Sequence, residues 1–244
     1  MVDMHLNLAD PTCEPSDAQL AQIMSEVREC AITKSNAADS AYWSRIAEMI
    51  KGERADRTHI ARLPILVGNS PPKLSVVAGA YLSGHSTVAA QLAGDDSVNC
   101  AILTKELLQL RPTAMVTTSL TSKNSIDLLI LAKQMGYRLH LTYVGTSHPA
   151  INVARTARMM ILAGDEPVYE KSITSIIDEY AQSLTHVACF WPIFDEVIFY
   201  DSSESEQFPE IVAFTRRNEQ GEIGFVSAVS SLPQWMMLVA EQVS

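Results

Sequence analysis

Apolar positions recur along this chain in two rhythms, and the change from one to the other falls between residues 53 and 72. Before it the spacing is helical. Ser16 and Gln19 resemble a capping box that opens a helix over 16–32, with Leu20, Ile23, Val27 and Ala31 on one face. A second helix is predicted over 38–51, carrying Trp43, Ile46 and Ile50, with Gly52 as its stop. Residues 1–13 read as a loosely docked arm. Residues 53–72, with Pro64 and Pro71-Pro72, read as a connector holding a short strand at 64–67.

After the connector, short apolar runs alternate with longer amphipathic ones. Strands are predicted at 74–78, 114–118, 137–144 and 194–200. Helices are predicted at 86–93, 99–110, 124–135, 149–163 and 169–183, with Gly136 and Gly164 closing the third and fourth. A pair of strands at 211–215 and 223–226 surrounds Gly221, and residues 232–243 form an amphipathic last helix. Strands that alternate with helices imply βαβ units. The expected class is therefore α/β, a mainly parallel sheet flanked by helices. A helical extension over 1–60 would precede the α/β domain at 61–244.

In such a sheet ligands sit beyond the carboxyl ends of the strands. At the end of the first strand stands Gly79-x-x-x-x-Gly84-His85-Ser86-Thr87, which fits the phosphate-loop pattern G-x-x-x-x-G-K-[ST] everywhere except at His85. In that pattern the backbone N–H groups and the helix N-terminus cradle phosphates. The lysine adds a permanent charge on the β/γ oxygens, and the Ser/Thr hydroxyl meets Mg²⁺. Gly79, Ser83, Gly84, His85, Ser86 and Thr87 are thus the expected cofactor-binding residues, with ATP the candidate cofactor and Ser86 its Mg²⁺ ligand. The cup is kept and its main cation is lost, because an unperturbed imidazole is mostly neutral at pH 7.

Charge and composition narrow the partners. A net charge of −10, with no Lys/Arg cluster, argues against nucleic acid, whose binders present a basic face. No apolar run is long enough to span a membrane, and the acidic start of the chain lacks the pattern of a secretory leader, so a cytoplasmic protein is expected. Cys13, Cys30, Cys100 and Cys189 are scattered, without a C-x-x-C pair, and the six histidines are dispersed. The partner expected is a small nucleotide-like ligand or another protein.

Several segments, in order, resemble the zeta toxin family of P-loop kinases. Residues 74–87 look like its strand and phosphate loop, and Val98-Asn99 like the start of its V-N-A-D segment. Met115-Val116-Thr117-Thr118 is similar to F-E-T-T, and Gly136-Tyr137-Arg138-Leu139-His140-Leu141 to G-Y-x-V-x-L. Ser147-His148-Pro149 through Arg155 is similar to S-P-E-x-A-x-x-R. Phe194-Asp195-Glu196-Val197 through Tyr200-Asp201-Ser202-Ser203 resembles A-D-x-x-x-x-Y-D-N-S. The resemblance covers roughly residues 60–215. It implies a kinase fold that uses ATP and Mg²⁺ to phosphorylate nucleotide-sugars or related hydroxyl compounds.

The same alignment shows what is missing. His85 stands at the lysine. The aspartate proposed as base aligns with Ala101, and the F-E-T-T glutamate with Val116. No arginine falls at 173–177, and Arg155 alone matches a family arginine, with Arg158 one turn on. Loss of one such charge typically slows phosphoryl transfer by about 10²–10⁵. The first reading is therefore a catalytically degenerate member, acting through a nucleotide-like ligand or a protein partner. The second is an active small-molecule kinase with relocated groups: Arg155, His85 and Asp95 or Asp96 as catalytic residues, Asn99, Thr117 and Thr118 as substrate contacts. The third is a structural or interaction subunit docking through its helices. For each residue an ordinary role competes: surface ion pairing for Arg155, solvated turns for Asp95 and Asp96, strand-end capping for the threonines.

Overall fold

A nearly continuous apolar run belongs in a sheet covered on both faces, and the first strand after the connector is such a run, broken only by Ser75. In the computed structural model β1 (Lys73–Ala78) buries Leu74, Val76, Val77 and Ala78 almost completely. The structure describes residues 17–55, 71–93, 98–100, 103–110, 113–163, 171–204, 208–217 and 223–241. Among them the sheet has seven strands in the order β2-β3-β1-β4-β5-β6-β7. These are β2 (Val98–Cys100), β3 (Ala114–Thr118), β4 (Arg138–Gly145), β5 (Glu196–Asp201), β6 (Glu210–Arg217) and β7 (Ile223–Ser227). The first five in that order pair parallel, and β6 and β7 add on antiparallel.

The α/β architecture expected from the alternation is the one observed, with the strands at 74–78 and 114–118 matching within a residue. Helices α2 (His85–Leu92), α4 (Lys123–Gln134), α5 (Pro149–Ala163) and α6 (Ile173–Phe190) connect the parallel strands. Gly136 ends the α4 region at φ 84°, the left-handed conformation that glycine adopts without strain. Helix α6 turns one continuous face inward, with Ile176, Tyr180, Leu184 and Val187 at three- and four-residue intervals. Its end is set by Trp191–Ile193, a 3₁₀ turn with proline in its first positions, which explains why the strand that follows starts later than predicted.

Two expectations fail. The predicted pair of N-terminal helices is one helix, α1 (Asp17–Ala55). No glycine or proline interrupts residues 33–37, and Thr33 Oγ1 satisfies itself on Glu29 O at 2.8 Å, so nothing breaks the backbone ladder there. Gly52 lies within this helix rather than ending it. The predicted helix over 99–110 is instead strand β2 followed by α3 (Lys105–Leu110), with Thr104 capping the Leu107 N–H at 3.2 Å. The strand at 64–67 and the glycine at 164 lie outside the described residues.

The chain forms two compact units, one up to Arg45 and one from Ile46 onward. The boundary predicted at residue 60 lies outside the described residues. In the first unit the α1 residues from Gln22 to Ser40 whose side chains are described are all exposed. The second contains the last turns of α1, the sheet and all the other helices. Ile46 and Ile50 are buried there, and Cys189 Sγ lies 3.6 Å from Ile50 O. β1 has β3 on one side and β4 on the other, so the turn leaving β1 emerges where the strand order reverses.

Candidate phosphate-binding loop

The turn from β1 into α2 is tight because two of its positions admit only glycine. A Cβ on Gly79 would overlap Ser83 Oγ and the Val144 carbonyl. Gly84 holds φ +94°, and a Cβ there would sit 3.1 Å from Ser202 Oγ. Leu82 takes φ 56° between them, a left-handed conformation without glycine's freedom.

Something must hold that conformation, and α5 does. Asn152 and Arg155 are three residues apart and so share one helix face. Asn152 Nδ2 donates to Tyr81 O at 2.6 Å, and Arg155 Nη1 donates to Leu82 O at 3.0 Å. Asn152 is itself fixed, since Thr146 Oγ1 donates to its Oδ1 at 2.6 Å. Arg155 Nη2 also donates to Ser202 O and to Ser202 Oγ. Burial lowers the Arg155 pKa from its ordinary value, and Asp201 opposes that shift. The arginine predicted to be catalytic therefore has its guanidinium engaged by the backbone of the loop and by Ser202.

The consequence appears in the loop's hydrogen bonding. The carbonyls of Ala80, Tyr81, Leu82 and Gly84 accept from Ser83 N, Asn152, Arg155, and Thr87 and Val88 N respectively. Gly79 N donates to Thr118 O at 3.3 Å, and Tyr81 N to Glu179 Oε1 at 3.1 Å. Among the described residues, the N–H groups of Leu82, Gly84, His85 and Ser86 have no such partner. With these carbonyls occupied, those of Tyr81 and Leu82 by α5, and these amides left unused, the loop has the form of an anion-binding concavity at a helix start.

His85 does not supply the missing charge. Its ring is half-buried, with Nδ1 3.2 Å from Ser83 Oγ. Burial pushes its pKa below the usual value, only partly opposed by the Ala80 carbonyl and by Glu179, so the ring is neutral at pH 7. Ser86 and Thr87 are exposed at the first turn of α2, where a hydroxyl could join a phosphate-bound Mg²⁺. Among the described residues no group of three or more His, Cys, Asp and Glu side chains is placed to hold a metal alone. The residues present fit a phosphate group, and they fit Mg²⁺ only as a companion of that phosphate.

The other predicted positions scatter. Thr117 and Thr118 end β3 and line a cavity of about 270 Å³ with Asn124 and Ser125. Thr118 Oγ1 is taken by Leu120 N at 3.1 Å. Asn99 lies in β2, opposite Met115. Asp95 and Asp96 lie outside the described residues. Val116, at the glutamate position of the resembling family, is buried.

Four residues around the loop escaped the sequence reading: Asn152, Ser202, Glu179 and Lys171. The i, i+3 spacing of Asn152 and Arg155 was available as a signal. Glu179 and Lys171 carry none, since only α6 packing brings them to the loop. Glu179 Oε2 pairs with Lys171 Nζ, and that ammonium stands 4.4 Å from the centroid of the Tyr81 ring.

No family model matches this chain, and no curated protein matches it. Some solved structures are similar. The complex of AvrRxo1-ORF1 with AvrRxo1-ORF2 and sulphate ions matches over 84% of this chain and 72% of that one, at 12% identity and a TM-score of 0.45. The same complex with ATP matches over the same shares at 12% identity and a TM-score of 0.43. A structure from the PezAT chromosomal toxin-antitoxin system of Streptococcus pneumoniae matches over 83% of this chain and 95% of that one, at 10% identity and a TM-score of 0.44.

Proposed function

We propose that this chain is a zeta-toxin-like protein of P-loop kinase fold that binds the phosphates of a nucleotide at Gly79–Thr87 and transfers phosphate weakly or not at all. The observation that carries this reading is the loop itself: amides at Leu82, Gly84, His85 and Ser86 unused among the described residues, with the Tyr81 and Leu82 carbonyls drawn to α5. ATP is the candidate ligand. Leu82, Gly84, His85 and Ser86 would meet its phosphates through backbone N–H groups, and Ser86 Oγ would meet the accompanying Mg²⁺. The bound Mg²⁺ would neutralise part of the phosphate charge.

Transfer would be weak for electrostatic reasons. The motif lysine is a neutral histidine, and Arg155, which matches a family arginine, is committed to Leu82 and Ser202. A loop that holds phosphate without stabilising the charge of the transition state binds better than it reacts. The protein would then act through the bound nucleotide-like ligand or through a protein partner. No described helix is long and apolar enough to cross a membrane, and the cytosol, where ATP is plentiful, suits this reading.

Titration with Mg·ATP beside His85→Lys tests it. Restoring the lysine should tighten binding by about 10- to 100-fold, the worth of one charge-assisted contact. A phosphorylation assay on nucleotide-sugars should show little turnover by the natural chain. Rapid turnover abolished in His85→Ala would overturn the degenerate reading.

A further inference from the structure

The cation missing from the motif has a candidate elsewhere. Lys171 directly precedes Ser172, the N-cap of α6. Lys171 Nζ is paired with Glu179 Oε2, and the other oxygen of that carboxylate accepts the N–H of Tyr81, the third residue of the loop. Both side chains are mostly covered, at 22% exposure for the lysine and 12% for the glutamate. The Tyr81 ring holds the ammonium from the loop side. A flexible lysine is thereby kept one carboxylate away from the loop backbone.

The pairing is odd for a purely structural contact. A partly buried ion pair roughly offsets its own desolvation and adds little net stability. Here its carboxylate also places a negative charge against a loop built to receive anions. Such a charge disfavours a phosphate unless a cation goes with it; among the described residues Arg155 is already engaged by Leu82 O and Ser202, and Lys171 is the cation paired with that carboxylate. The ammonium is a compact charge on a flexible four-carbon stem, suited to exchanging one oxygen anion for another.

We propose that Lys171, stored on Glu179 and against the Tyr81 ring, is the cation that serves the phosphate loop in place of the lysine that His85 replaces, an arriving phosphate drawing it away from Glu179. This rests on the reading of Gly79–Thr87 as a phosphate site. Lys171 would be a binding residue and Glu179 its positioning residue. Glu179 also sets a threshold, since a ligand must offer the ammonium a stronger anion than the carboxylate.

Two variants of the full chain test this through opposite signs, read by calorimetric titration with Mg·ADP and Mg·ATP. Lys171→Met keeps the apolar stem on Tyr81 and removes the charge; binding should weaken at least about tenfold. Glu179→Gln keeps an acceptor for Tyr81 N–H and releases the ammonium; binding should tighten by about fivefold or more, a gain that misfolding does not produce. Binding that is equal in the natural chain and Lys171→Met, or that weakens in both variants, would overturn the assignment while leaving the loop reading intact. Failure of the natural chain, Glu179→Gln and His85→Lys alike to take up either nucleotide would overturn both.

Discussion

Arg155 donates a hydrogen bond to the carbonyl of Leu82, and Leu82 is the loop residue that holds a left-handed backbone without being glycine. Such a conformation costs of order 1–3 kcal/mol and persists only where its surroundings over-determine it. The guanidinium supplies part of that determination and ties the loop to Ser202 as well.

Replacing Arg155 with Met should therefore act first on stability. The Leu82 and Ser202 carbonyls lose a charged donor, at a cost of about 2 kcal/mol. Thermal unfolding should show a drop of several degrees for a unit of this size. Hydrogen exchange in residues 79–87 should rise more than elsewhere. An Arg155 variant with natural thermal stability and a rigid loop would refute this role.

Gly79→Ala and Gly84→Ala should both damage the loop, by different routes. At Gly79 the new methyl would meet Ser83 Oγ and the Val144 carbonyl, and the backbone atom cannot give way. At Gly84 the φ of +94° is strained for any side chain, costing about 1–2 kcal/mol. Circular dichroism should show a folded protein in each case, with reduced melting temperature and weaker uptake of Mg·ATP. Full nucleotide affinity in Gly84→Ala would contradict the loop geometry.

These two glycines were legible from the spacing Gly79-x-x-x-x-Gly84, as were the parallel sheet and most of its helices. The reason is that each depends on local chemistry: periodicity, turn residues and a motif that fits one backbone shape. What escaped the sequence depends on long-range packing. Glu179 reaches Tyr81 N–H across 98 positions of chain. The single helix over Asp17–Ala55 escaped for a different reason, since its middle is polar all round and so carries no periodic stripe. Likewise β2 has three residues, too few to show an alternation.

Acid should destabilise the protein partly through His85. Burial lowers the pKa of its imidazole in the folded chain, so below about 6.5 the unfolded chain binds a proton that the folded one refuses. Stability from this group is complete above that pH and is lost as pH falls toward the lowered folded value. His140, lowered by burial and by Lys73, contributes a slope of the same sign. Chemical denaturation of the natural chain and His85→Gln between pH 7.5 and 5 should give a flatter profile for the variant, by up to one proton. Superimposable profiles would rule His85 out as a source.

Trp235 should be more than a packing residue. Its Nε1 donates to Asp201 Oδ2 at 2.7 Å, while Asp201 Oδ1 accepts the Ser203 N–H at 2.7 Å. Trp235→Phe keeps an aromatic ring and drops the donor, leaving a carboxylate oxygen without its partner. A loss of about 1–2 kcal/mol is expected in equilibrium unfolding, together with faster exchange at Ser203. Natural stability in that variant would show the indole contact to be idle.

The same indole lies where a Cβ on Gly145 would be, 2.7 Å from its ring atoms, and it rides on α7 (Gln234–Ala240). The end of β4, the Asp201–Ser203 turn and through it Arg155 are thus shaped by a segment that is synthesised after every strand of the sheet. During synthesis the strands can pair in turn, but the turn at Asp201–Ser203 lacks its indole partner until that later helix arrives. A nascent chain halted before it would have its sheet residues in place and residues 79–87 without the support that reaches them through Ser202 and Arg155.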